Sequence, residues 1–404
     1  MNVLLLASHG IAEYDDVRMF HHLGFEVFCP GGYANPAKPG ETLRPALPEV
    51  PYHADLAALC DIQRAKHREE PGRYIDWAKA DLHPQLIDWA DVIIVHHFVR
   101  EWIRDQWPRI RHKRVIWRTC GQSDPSLELD MATLRDDGLQ IVRYSPAERR
   151  YFGKIGAFAG EDALIRFGKF PQDYGPWMPD GTIGFRDRND WTQREDFGQF
   201  VGPYIANVTQ NMVQRGDATG LTFYLEATKG LPAVPAGPGS KMLPGGIGEL
   251  SVDAMRDYLR KARAYIYTGT TPASYTLGLI EAMLAGVPVV SIGPEDWAGP
   301  PELFEGHELV LQVFRKGPFG NAYGRPNDVE VVHDYLIELL NDADLAREAS
   351  THQGEHARAL FGMDTVGPQW QRFLTPEPWA ATIEKDRREQ MDRASQTSPW
   401  DAVL

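Results

Sequence analysis

The feature that most constrains this chain is a repeated alternation. A short apolar run ends in a polar cluster, and a helix-compatible stretch follows. Residues 2–7 (NVLLLA) lead into Ser8-His9-Gly10, and Asp91 to Val95 lead into His96-His97. Val115-Ile116-Trp117 lead into Arg118-Thr119-Cys120-Gly121-Gln122, and Leu139 to Val142 into Arg143-Tyr144-Ser145-Pro146. Short runs that are continuously apolar suit strands buried on both faces, as in parallel sheets covered by helices. The fold expected is therefore α/β, with helices at 12–23, 53–66 and 84–89, and another opened by the cap-like Ser145-Pro146-Ala147-Glu148.

Residues 168–195 interrupt the alternation with Gly, Pro, Asp and Trp, and then it restarts. Strands are expected at 200–209, 233–236, 264–267 and 287–292. Helices are expected at 218–228, 251–262, 277–285, 328–341 and 343–360. A chain of 404 residues exceeds one ordinary core. Two Rossmann-like parallel-sheet domains are expected, 1–185 and 186–370, followed by a helical tail at 371–404. At 43% apolar and 24% charged residues the composition is that of a globular chain. No apolar run approaches the ~20 residues of a membrane span. The opening has no basic leader, and the three cysteines form no CxxC pair. A cytoplasmic setting is expected. The net charge of −14 disfavours general nucleic-acid binding, although a local basic cleft remains compatible with it.

Ligands of open parallel sheets bind at the carboxyl ends of strands. Neither GxGxxG after the first strand nor GxxxxGK[ST] is present, which disfavours a classical dinucleotide fold and a P-loop. The most informative stretch is 264–293. A strand enters a hydroxyl-rich loop, a helix begins near Ser274 or Thr276, and Gly286 precedes the next strand. The amides and positive dipole end of such a helix suit a diphosphate, and Glu281 stands where it could accept from ribose hydroxyls. A plain crossover with a surface glutamate fits the same residues.

Gly278-Leu279-Ile280-Glu281-Ala282-Met283, followed by Ala285-Gly286-Val287-Pro288-Val289-Val290, resembles the nucleotide-sugar motif of the family 4 glycosyltransferases. The resemblance implies a GT-B fold with a central cleft, a helical tail at 371–404 that packs back on the first domain, and transfer of a sugar from a nucleoside diphosphate donor to a hydroxyl acceptor. It implies a UDP- or GDP-sugar as co-substrate, no tightly bound cofactor, no metal, and retention of configuration. It places the donor at Gly10, Arg215, Gly237, Ser274, Tyr275, Thr276, Leu277, Gly278 and Glu281. The sequence departs from the family where an earlier motif glutamate is replaced by Ala273, where Cys120 replaces a histidine, and where only Arg215 remains of a basic pair.

His9, His96 and Arg118 are candidates for the reacting sugar and leaving group, since each ends or follows a first-domain strand. Glu13, Tyr14, His97 and Gln122 are acceptor candidates, and Met242 could pack on the base. A structural histidine, or an arginine paired with a nearby carboxylate, is the plain alternative. Lys and Arg from Arg100 to Arg118 interleave with Trp102, Trp107 and Trp117, and Arg143, Arg149, Arg150 and Lys154 follow. Such a surface could hold a polyanion and stack bases, and an ordinary basic helix face with core tryptophans fits the same residues. The acceptor is thus a glycan, a small molecule or a hydroxymethylated pyrimidine in DNA. An epimerase and a catalytically idle nucleotide-sugar-binding protein are the remaining readings. Neither a DxD pair nor HExxH marks a metal site.

Overall fold

The structure, a computed structural model, describes residues 1–7, 10–29, 47–66, 81–96, 100–120, 125–179, 183–188, 195–200, 202–209, 213, 218–268, 275–291 and 329–375. In the first lobe the strands are β1 (Asn2–Leu6), β2 (Glu26–Phe28), β3 (Val92–His96), β4 (Arg114–Arg118), β5 (Gln140–Arg143) and β6 (Ala163–Leu164). They form one parallel sheet in the order β2-β1-β3-β4-β5-β6. The intervening helices are α1 (Gly10–His22), α2 (Ala54–Lys66), α3 (Pro84–Trp89), α4 (Arg100–Ile110), α5 (Pro125–Asp136) and α6 (Pro146–Lys154).

The second lobe has β9 (Ile205–Val208), β10 (Ala233–Ala236), β11 (Ala264–Tyr267) and β12 (Val289–Ser291), parallel in the order β10-β9-β11-β12. Its helices are α7 (Ala218–Ala227), α8 (Val252–Lys261), α9 (Leu277–Leu284), α10 (Val329–Asn341) and α11 (Ala343–Phe361). Between the sheets lies an antiparallel hairpin of β7 (Ile183–Arg188) and β8 (Glu195–Phe200). The sequence gives no apolar signal for it, and the strand expected at 200–209 divides into the end of β8 and β9. The final described helix, α12 (Met363–Leu374), crosses back to the first lobe.

Side chains alternate across a sheet, so residue parity assigns each to a face. Leu4, Leu6, Ile93, Val95, Val115, Trp117 and Ile141 lie on the face covered by α2 to α5. Val3, Leu5, Val92, Ile94, Ile116 and Val142 lie on the other, beneath Val17 and Phe20 of α1 and Met363, Val366 and Trp370 of α12. Phe20 meets Trp370 edge to face, with ring centroids 5.1 Å apart. Arg114 of β4 donates to the carbonyls of Leu374 (2.8 Å) and Phe373 (2.6 Å). Its cation thus closes the negative end of α12. The second-lobe core also includes Ala12, Cys120, Tyr144 and Phe167 of the first lobe, so apolar packing is continuous across the seam.

Candidate functional site

Thr276 caps α9 with an extended backbone, and its hydroxyl accepts from Leu279 N. Gly278, in the first turn, leaves room beside the Tyr265 hydroxyl: a Cβ there would lie 4.0 Å from Tyr265 Oη and 3.8 Å from Thr276 Oγ1. The Tyr265 phenol is driven well above its ordinary range by burial and then by Tyr267 and Glu281, so it stays neutral and able to donate. Gly286 ends the helix with φ +80°, where a side chain would also strike Trp177 Cβ. The helix start faces the other lobe: Tyr275 donates from its hydroxyl to Tyr144 O, just beyond β5, at 2.6 Å. The outward amides of the first turn of α9 therefore lie at the interlobe seam. Just after β10, Gly237 turns with φ +97° against Val208 and Thr209 at the end of β9, and its N–H is held by Gly248 O at 2.7 Å.

Glu281 does not stand alone. Its Oε1 accepts from Lys169 Nζ at 2.7 Å and from Tyr174 Oη at 3.5 Å, and Lys169 also reaches Asp15 Oδ2 on α1 at 2.5 Å. The expectation of a carboxylate left for ribose is corrected to that extent: one oxygen is committed to a buried ammonium. Sequence reasoning missed Lys169 because it lies in the Gly- and Pro-rich stretch taken as a boundary.

No protein-family model matches the chain, and no curated protein matches it. Solved structures do. Sucrose-phosphate synthase from Thermosynechococcus elongatus superposes with TM-score 0.55 and 14% identity, over 93% of this chain and 98% of that one. A glycosyltransferase from Rickettsia africae gives 0.57 and 12%, over 93% and 99%. Anabaena HepE in complex with UDP-glucose gives 0.55 and 13%, over 93% and 99%. The fold is GT-B.

Within this GT-B frame, two strand-end candidates move inward. His96 and Arg118 share parity with Ile94 and Ile116, and so point under α1 and α12. Both side chains are fully buried. Asp16 Oδ2 lies 3.1 Å from His96 Nε2 and 3.1 Å from Arg118 Nε. Asp16 can only accept, so Nε2 carries the imidazole proton. Burial holds His96 below the ordinary histidine value although Asp16 opposes the shift, and the ring is neutral. The Arg118 guanidinium lies between the faces of Phe167 (4.9 Å) and Trp370 (4.8 Å). The roles assigned to them at a reacting sugar are corrected to an internal charge cluster, because the helix that covers this face arrives from the far end of the chain.

Tyr14 is likewise corrected from acceptor contact to core, and Glu13 is buried. Gly10 opens α1. Met242 is 80% exposed. His9, His97, Gln122, Arg150, Arg215, Ala273 and Ser274 lie outside the residues whose side chains are described. Burial pushes the Cys120 thiol up to about 12, with Arg118 opposing the shift and Asp16 and Glu148 adding to it, so the thiol stays protonated.

In the basic and aromatic region the structure shows the plainer alternative, a basic helix face over core tryptophans. Trp102, Trp107 and Trp117 are core. Arg104 and Arg111 pair with Asp130 and Asp137, and Arg143 is buried in a bidentate pair with Glu128. None of these tryptophans offers a face to a nucleic-acid base. Among the described residues, no group of three or more His, Cys, Asp or Glu is placed to hold a metal ion. No described helix is long and apolar enough to cross a membrane.

Proposed function

We propose that the chain is a glycosyltransferase that transfers a sugar from a nucleoside diphosphate sugar to a hydroxyl acceptor at the seam between its lobes. The observation that carries this reading is the start of α9. A capped helix whose sequence resembles the family 4 nucleotide-sugar motif opens directly onto the first lobe, under the Tyr275–Tyr144 contact. There the amides and dipole suit a diphosphate, Gly278 admits it closely, and the neutral Tyr265 hydroxyl is an added donor. Glu281 keeps the ribose role, with its carboxylate oriented by Lys169. The UDP-glucose complex of HepE, which shares this fold, favours a UDP-sugar donor. Retention of configuration and independence from metal follow the same resemblance. The protein's contribution is positioning, charge neutralisation and exclusion of water by the two lobes. The three free cysteines suit a reducing cytoplasm.

A second reading, a binding protein without turnover, is favoured by one finding: the buried His96 and Arg118 supply no group to a reacting sugar. Calorimetric titration with UDP and GDP, then assay of a nucleotide-sugar panel by mass spectrometry of released diphosphate, separates the two. Glu281→Gln should weaken nucleotide binding by about tenfold or more, the worth of charged hydrogen bonds. Failure of the wild type to bind any nucleoside diphosphate would refute both readings, and unchanged affinity in the variant would refute the Glu281 assignment.

A further inference from the structure

The segment joining the lobes carries two charge bridges of opposite polarity. In the first, Lys169 stands between Asp15 of α1 and Glu281 of α9. In the second, Asp173 stands between Arg18 of α1 and Arg256 of α8, with Arg256 Nη2 at 3.2 Å. The two differ in burial. The Lys169 side chain is 1% exposed, against 16% for Asp173. An ammonium so enclosed persists only where carboxylates compensate it.

Lys169 is also fixed at its root. Its N–H donates to Phe361 O at 2.8 Å, and it bridges Gly362 at the α11–α12 junction. Gly168, just before it, is wedged: an added Cβ would lie 3.2 Å from both Met19 Sδ on α1 and Val366 Cγ1 on α12. The backbone at Lys169 thus sits where the lobes meet: Gly168 packs on α1 and α12 of the first lobe, and the Lys169 N–H is held at the end of α11 of the second.

We propose that Lys169 is a positioning residue for the donor: anchored to the first lobe through Asp15, it holds the Glu281 carboxylate in the orientation that receives a ribose hydroxyl. The inference rests on the donor reading above and adds a coupling to it. Ribose recognition on the second lobe depends on the lobes keeping this relation, because the ammonium that orients the carboxylate is also held by Asp15 of the other lobe. Without Lys169, the carboxylates of Asp15 and Glu281 lose the ammonium that stands between them, and Glu281 turns away.

The test compares UDP with 2′-deoxy-UDP, and GDP with 2′-deoxy-GDP, by calorimetry. The wild type should prefer the ribonucleotide of its donor by about tenfold or more. Lys169→Met should bring that ratio to within about twofold of unity with the deoxynucleotide affinity unchanged, a split that general loosening does not produce. Lys169→Arg should restore most of the preference, and Asp15→Asn should reduce it at least about threefold. Asp173→Asn, which breaks only the second bridge, should keep it. A folded Lys169→Met with the wild-type ratio overturns the inference and leaves the donor reading standing. Should that variant fail to fold, an unchanged ratio in Asp15→Asn overturns it equally. An equal loss in Asp173→Asn overturns it in favour of nonspecific loosening. Absence of any nucleotide binding by the wild type removes the donor reading and the inference with it.

Discussion

Asp15 and Asp16 are neighbours on one helix, yet they serve different parts of the molecule. Asp16 faces inward and holds His96 and Arg118 within the first lobe. Asp15 faces the seam and, through Lys169, reaches Glu281 of the second. A helix advances about 100° per residue, so adjacent positions look in different directions. The difference teaches that residue chemistry alone does not mark a site. The cluster richest in apparent catalytic groups is sealed under α12, while a lysine in an unremarkable connecting stretch stands where the lobes meet.

The comparison can be broken most forcefully at Arg118. Arg118→Met leaves Asp16 buried without its cation and should cost about 3–5 kcal/mol of stability in urea unfolding. The surviving folded protein should keep its ratio of ribo- to deoxynucleotide affinity. A stability change below about 1 kcal/mol would show that the inner cluster is not what holds the lobe.

A third buried group sharpens the contrast from the opposite sheet face. Glu148 accepts from the Thr119 hydroxyl at 2.7 Å, lies 3.9 Å from Arg143, and is driven up to about 7, first by burial. The folded state therefore retains a proton on it that the unfolded chain releases near 4.5. This contribution is greatest at low pH, declines as pH rises from about 4.5, and levels off above about 7. The difference amounts to about 3 kcal/mol. Glu148→Gln should remove that part of the slope, read as thermal midpoints between pH 5 and pH 8. A slope unchanged in the variant would place the titration elsewhere.

The smallest effect is expected at the outer bridge. Asp173→Asn should lower stability by about 1 kcal/mol or less, as partly exposed pairs do, and by less still in high salt.

The α/β organisation was legible because β1, β3, β4 and β11 each carry an apolar run of three or more residues and each is followed by a helix start. The β7–β8 hairpin was not, since IGFRDR and EDFGQF carry too much charge to display a buried face. At the candidate site, the turn before Leu277 and its cap were readable from residue type, and so was Glu281. What Glu281 touches was not. Lys169 lies 112 positions away along the chain, and only the closing of the lobes brings the two together. Parity already placed His96 and Arg118 on the face of Ile94 and Ile116. That this face is sealed follows from Trp370, whose arrival no local pattern announces.

The return of α12 has a further consequence for how the protein comes into being. The half that leaves the ribosome first is the half completed last: Phe20, Ile94 and the Asp16 cluster have no roof until the segment around Trp370 has been made. Synthesis must therefore carry an unfinished first lobe until that segment has been made, and a first lobe cut out at the linker would lack this roof.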